Sequence, residues 1–165
     1  MFELQDPQQK IAPEAVKVWR ISNTLTHIIV LLIGGALVTA GHIFDWKNWI
    51  NIILIVLLAL DLIMAIWDIF IEPVLTQRYW RYDITSEFIQ TRHGIFKINH
   101  TVAPMTKVQY VTAKEGPLLR RYHLQTLEIG TMNTSLAIPA LSKDEAVTLR
   151  AQIAEFAKIK EVDDA

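Results

Sequence analysis

The chain contains no cysteine. This excludes a disulfide framework, a thiolate metal site and a cysteine nucleophile. It also has almost no net charge, with 16 Lys+Arg against 17 Asp+Glu giving −1, so bulk nucleic-acid binding has no electrostatic basis. The only adjacent glycines, Gly34-Gly35, lie inside an apolar run rather than in a phosphate-cradling loop, and no serine sits in a G-x-S-x-G elbow. His93, His100 and His123 are seven and twenty-three residues apart, which matches no local ligand motif, so no metal site is expected. After the two apolar runs, no close pair of acids and bases has an obvious task. The expectation is a non-enzymatic protein with no cofactor.

Apolar residues, by contrast, are abundant at 52%, and nearly all the excess precedes residue 72. Two long runs, Leu25–Phe44 and Trp49–Ile71, are separated only by Asp45-Trp46-Lys47-Asn48. At about 1.5 Å per residue each reaches roughly 30 Å, the thickness of a bilayer's hydrocarbon core. A soluble helix is rarely apolar all round for that length. The pair reads as a transmembrane helical hairpin. In 165 residues that leaves room for one small domain. The polar, charged first 24 residues predict that no cleavable signal peptide precedes the first run.

Residues 1–12 have no periodicity and are expected to be disordered. Pro13-Glu14 then suits a helix start, followed by a juxtamembrane segment, Ala15–Ser22, with Trp19 at anchoring depth. Lys10, Lys17 and Arg20 precede the first run and Arg78, Arg81 and Arg92 follow the second, whereas the turn carries only Lys47. The positive-inside bias therefore predicts a prokaryotic cell-membrane protein with two spans and both termini cytoplasmic. The resulting divisions are 1–24 (N-terminal segment), 25–72 (hairpin), 73–160 (cytoplasmic domain) and 161–165 (acidic, frayed tail).

Both spans carry residues that lipid contact alone does not require. The first holds Gly34, Gly35, Ala36, Thr39, Ala40 and Gly41, small side chains that let another helix approach closely. That helix is the second span of the same chain, a span of another chain, or both. The second run carries Asp61 and Asp68, with Glu72 just beyond; spacings of seven and eleven put all three on one face. An antiparallel hairpin places His27 level with about Met64, between the two aspartates and in reach of either. We read His27, Asp61, Asp68 and Glu72 as a polar clamp holding the hairpin or an oligomer together. The alternative is a proton or ion relay, for which two spans enclose no path without further chains.

After Pro73, which ends the span or lies just past it, the pattern changes to short β-branched and aromatic segments. Strands are predicted at Arg78–Ile84, Phe88–His93, Phe96–Val102, Val108–Lys114, Gln125–Gly130 and Ser135–Ile138. Ser142-Lys143-Asp144-Glu145 fits a capping box opening a helix whose apolar stripe is Ala146, Leu149, Ile153 and Phe156. The fold class is α+β: a membrane hairpin, then six or seven antiparallel strands as a small barrel or pair of sheets, closed by one amphipathic helix.

Residues 79–157 resemble the bacterial pleckstrin-homology-like (PH-like) domain of membrane-flanked proteins, in its short YdbS-like form. The matching stretches are Tyr82-Asp83-Ile84-Thr85, Ile89–Ile95, Val102–Val111, Gly116–Arg121 and Thr126–Ile129, and the hairpin with Ala15–Arg20 fits the way such proteins begin. The family often has glycine where this chain has Tyr122-His123, and Ala-Gly where it has Thr131-Met132. The resemblance implies a seven-stranded PH-like barrel with a C-terminal helix, and no reaction. It also implies assembly as a homo-oligomer or with a related PH-like membrane protein, and a part in envelope stress or resistance to membrane-active agents.

The remaining candidate is the basic loop containing Lys114, Leu118, Leu119, Arg120, Arg121, Tyr122 and His123. Its leucines and tyrosine suit insertion into an anionic inner leaflet while each arginine gains about 1 kcal/mol near the surface. Membrane lipid or a protein partner is the expected contact. The equal alternatives are that Arg120 and Arg121 pair with Asp83 or Glu128, or are simply solvated.

Overall fold

A computed structural model describes residues 6–132 and 134–157. The expected disorder of residues 1–5 and the frayed tail therefore lie outside the described residues. The chain divides into two compact units: residues 16–74, and residues 6–15 together with 75–157.

The first unit is helical. α1 spans Ala15–Ile43 without a break, and α2 spans Asn48–Ile66. In the helical stretches Ala15–Ile43 and Asn48–Tyr79, only 6% and 11% of the most apolar windows are buried. A helix serving as a soluble core would be mostly covered, yet Leu32 and Ile63 are 69% and 65% exposed. Burial of these side chains, at about 1.5–3 kcal/mol each, has to come from lipid or from other chains.

Pro73 does not end the helix. Helical structure runs from α2 through a π-helical turn, Trp67–Ile71, into α3, Glu72–Tyr79. Proline lacks an N–H and its ring crowds the carbonyl four residues back. The wider turn just before it, in which the Glu72 N–H reaches Trp67 O, relieves that crowding. The first strand accordingly starts at Arg81, three residues later than expected.

The second unit contains two three-stranded antiparallel sheets. β1 (Arg81–Ile84), β2 (Phe88–His93) and β3 (Asn99–Pro104) form one; β4 (Val108–Lys114), β5 (Leu124–Thr131) and β6 (Ser135–Ser142) form the other. β3 begins later than Phe96 because Gly94, at φ +118, starts a bend that carries residues 95–97 out of the ladder. A short helix, α4 (Pro117–Arg121), occupies the β4–β5 connection. His123 follows it at φ +55, the left-handed conformation that glycine adopts most easily. β6 passes through Pro139 to Ser142 by bulging, with two residues set against Thr126 and Ala140 at φ +51.

Tyr82, Ile89, Leu127, Ile129, Ile138 and Leu141 fill the core between the sheets. α5 (Lys143–Ala157) covers the second sheet with Ala146, Leu149 and Ile153, while Phe156 remains exposed. Half of the expected capping box forms: the Glu145 N–H donates to Ser142 Oγ at 3.3 Å. The Glu145 carboxylate instead accepts the Tyr82 hydroxyl at 2.7 Å.

The barrel is not closed by strand pairing, and six strands are present among the described residues rather than seven. The N-terminal segment spans the gap between the edge strands β1 and β6. Gln9 pairs with Tyr82 through two backbone hydrogen bonds of 3.1 and 3.0 Å, and the Ala12 N–H donates to Ala140 O at 3.1 Å. Ile11 is 1% exposed and Gln77 Nε2 donates to its carbonyl. Residues 6–12 are therefore an ordered strap, contrary to the expectation of disorder.

Burial and the Glu145 hydrogen bond raise the Tyr82 pKa, the burial having the larger effect. A raised pKa means that the folded state holds its proton more tightly than the unfolded state. The stabilisation is complete below the ordinary tyrosine value of about 10 and is lost as pH climbs above it. Tyr82→Phe should cost about 1 kcal/mol at neutral pH and reduce the loss of stability above pH ~10, as read from thermal unfolding across pH.

Candidate functional site: a polar cluster inside the hairpin

His27 comes from α1, and Asp61 and Asp68 come from the second helical stretch. Seven residues, about two turns, separate the aspartates, so they flank a side chain level with the gap between them. The His27 ring fills it: Nδ1 lies 3.0 Å from Asp61 Oδ1 and Nε2 lies 3.3 Å from Asp68 Oδ2. Exposure rises from 12% for His27 to 19% and 33% for the two carboxylates.

A neutral imidazole has one N–H, so it can donate to only one carboxylate. Both contacts are satisfied if the ring is an imidazolium, or if one carboxyl carries a proton and donates it. Asp61 Oδ2 is buried with no hydrogen-bond partner among the described residues. Leaving such an atom unsatisfied costs about 1–3 kcal/mol.

Asn23 extends the cluster and was not anticipated from the sequence. Its Nδ2 donates to Asp68 O at 2.6 Å and reaches Glu72 Oε2 at 3.4 Å. The available signal was its position four residues before His27, one turn away on the same face.

The small residues of α1 divide between two surfaces. A Cβ on Gly34 would meet Leu58 Cδ2 at 2.4 Å, and one on Gly41 would meet Asn51 Oδ1 at 2.1 Å, so these two admit α2. Gly35 has nothing within 4 Å, and Ala36 and Thr39 are exposed; Ala40 is half-buried. Asn51 is buried against Gly41, and its Oδ1 has no hydrogen-bond partner among the described residues.

In the basic loop, two cations are already paired. Lys114 binds Glu128, which raises its pKa through a hydrogen bond and the opposite charge, and Arg120 Nε reaches Glu115 Oε1 at 3.3 Å. Glu115 is lowered, chiefly by the Gln125 amide. Leu118, Leu119 and Tyr122 are half-buried, leaving Arg121 and His123 exposed.

A family model described as "Bacterial PH domain" matches residues 15–157, both spans included. The chain belongs to the bacterial PH domain family. The transmembrane protein YdbS of Bacillus subtilis (strain 168) is 35% identical over 159 residues, covering 96% of this chain and 98% of that protein. No solved structure matches the chain. With two apolar, lipid-length helices and a transmembrane relative over its full length, this bacterial PH-domain protein is a membrane protein of the YdbS type. Its PH-like unit is anchored through α1 and α2.

Proposed function

We propose that the chain is a non-enzymatic, membrane-anchored scaffold, a subunit that assembles with itself or with a related PH-like membrane protein. Its termini lie in the prokaryotic cytoplasm, on the side favoured by the Lys/Arg bias around the spans. The observation that supports assembly most is the second small-residue surface of α1. Gly34 and Gly41 are occupied by α2, whereas Gly35 faces open space beside exposed Ala36 and Thr39. In lipid, close backbone approach is a main source of helix association, and this surface allows it. Gly35→Leu should dissociate the complex while leaving the hairpin folded, as read by crosslinking and by thermal unfolding in the same detergent. Unchanged crosslinking would count against assembly through this face.

The His27 cluster supports a second reading, a subunit of an oligomeric transporter or channel. A histidine held between two carboxylates can accept a proton from one and return it to the other. Asp61→Asn separates the readings: loss of proton flux in vesicles with assembly intact favours the relay, and a loosened oligomer favours the clamp.

A further inference from the structure

A basic cavity in the PH-like unit belongs to neither reading. It has a volume of about 270 Å³ and lies among the end of α3, the start of β1 and the end of β2. Arg78, Arg81 and Arg92 line it, with His93 beside them and Tyr79 and Ile98 as apolar walls. At about 30 Å³ of liquid volume per water, it has room for an oxyanion and several waters. The bend at Gly94 forms one side. A Cβ there would meet Lys97 O at 1.9 Å, so only glycine admits this turn.

The sheet register brings the arginines together. Arg81 stands directly opposite Arg92 in the β1–β2 ladder, and Arg92 stands opposite His100 in the β2–β3 ladder. Like charges facing each other at that separation are destabilising unless something lies between them. Protein groups neutralise them only in part: Arg92 Nη1 pairs with Asp6 Oδ1 at 2.8 Å, and Arg81 Nη1 donates to Trp80 O at 2.8 Å. Arg78 makes no ion pair among the described residues. Asp83, on the same face of β1, accepts the Ile84 N–H.

Each guanidinium has about five N–H donors, so most of those on Arg81 and Arg92 have no partner among the described residues. His93 is stacked on Trp80 with ring centroids 4.3 Å apart, which fixes its plane, and its Nδ1 has no hydrogen-bond partner among the described residues. Three guanidinium charges stand against the carboxylates of Asp6 and Asp83, which leaves the site net positive. The forked donors of several guanidinium groups suit the multiple oxygens of a phosphate group.

We infer that this cavity binds a phosphate-type oxyanion through Arg78, Arg81 and Arg92. A lipid phosphomonoester headgroup and a free phosphate share this chemistry, and one experiment separates them. The full chain is placed in phosphatidylcholine nanodiscs and titrated with inorganic phosphate by calorimetry, at constant ionic strength maintained with chloride. In parallel, nanodiscs containing phosphatidic acid are analysed by native mass spectrometry for retained lipid.

Saturable phosphate binding, weakened about tenfold by Arg78→Gln and again by Arg81→Gln, supports a site for soluble phosphate. Retention of phosphatidic acid that the same substitutions remove supports a headgroup site. Both substitutions spare the Arg92–Asp6 pair, and Arg78→Gln alone breaks no contact described above, so a folded variant is available. No saturable binding in either arm, or binding equal in the wild type and the folded Arg78→Gln protein, would overturn the inference.

Discussion

Replacing His27 with leucine should destabilise the hairpin by about 2–3 kcal/mol. Removing one partner of a buried hydrogen bond costs about 1–3 kcal/mol, because the other is left unsatisfied. Here two carboxylates would lose their partner, Asp61 at 3.0 Å and Asp68 at 3.3 Å. The loss is smaller in a membrane, where the separated helices also find polar partners and a stranded carboxylate can take up a proton. Asp61→Asn is the informative contrast. Its amide can still hydrogen-bond to His27 Nδ1, through oxygen or nitrogen as the tautomer requires, so the cost should fall to about 1 kcal/mol. Denaturant titration in micelles, read by helix content, gives both values. Equal and negligible losses would mean that the cluster does not hold the hairpin.

Ile11→Ala should cost about 2–4 kcal/mol, the range for truncating a fully enclosed isoleucine. The residue is 1% exposed although its segment has no regular secondary structure beyond a single bridge pair. By contrast, Asp6→Asn, which breaks the exposed pair with Arg92, should cost less than about 1 kcal/mol. If the strap completes the core of the second unit, the two substitutions will differ by well over 1 kcal/mol in thermal unfolding of the full chain. Similar small effects would return residues 6–12 to the status of a tail.

The contrast between these two sites shows what a sequence carries. His27, Asp61 and Asp68 were legible together because helix periodicity fixes both the aspartate face and the level at which an antiparallel partner meets it. The two apolar runs were legible by length alone, and α5 by its cap and stripe. The strap was not, because its hydrogen-bond partners Gln77, Tyr82 and Ala140 lie far along the chain and its own neighbourhood has no period. Pro73 misled for a related reason: a local rule against proline in helices takes no account of a π-helical turn just before it. The arginine cavity was hidden by register. Arg81 and Arg92 are eleven apart, and only the β1–β2 ladder makes them neighbours. Closure of the barrel was overstated, since strand count alone does not reveal that the last gap is spanned by the N-terminal segment.

Assembly is read from the mass of the intact complex in nanodiscs, with co-purifying proteins identified. A single chain is 18.9 kDa. The account predicts a discrete complex of several chains, either identical copies or this chain with a second PH-like membrane protein, that Gly35→Leu reduces to smaller species. A monodisperse single chain with no protein partner would contradict it.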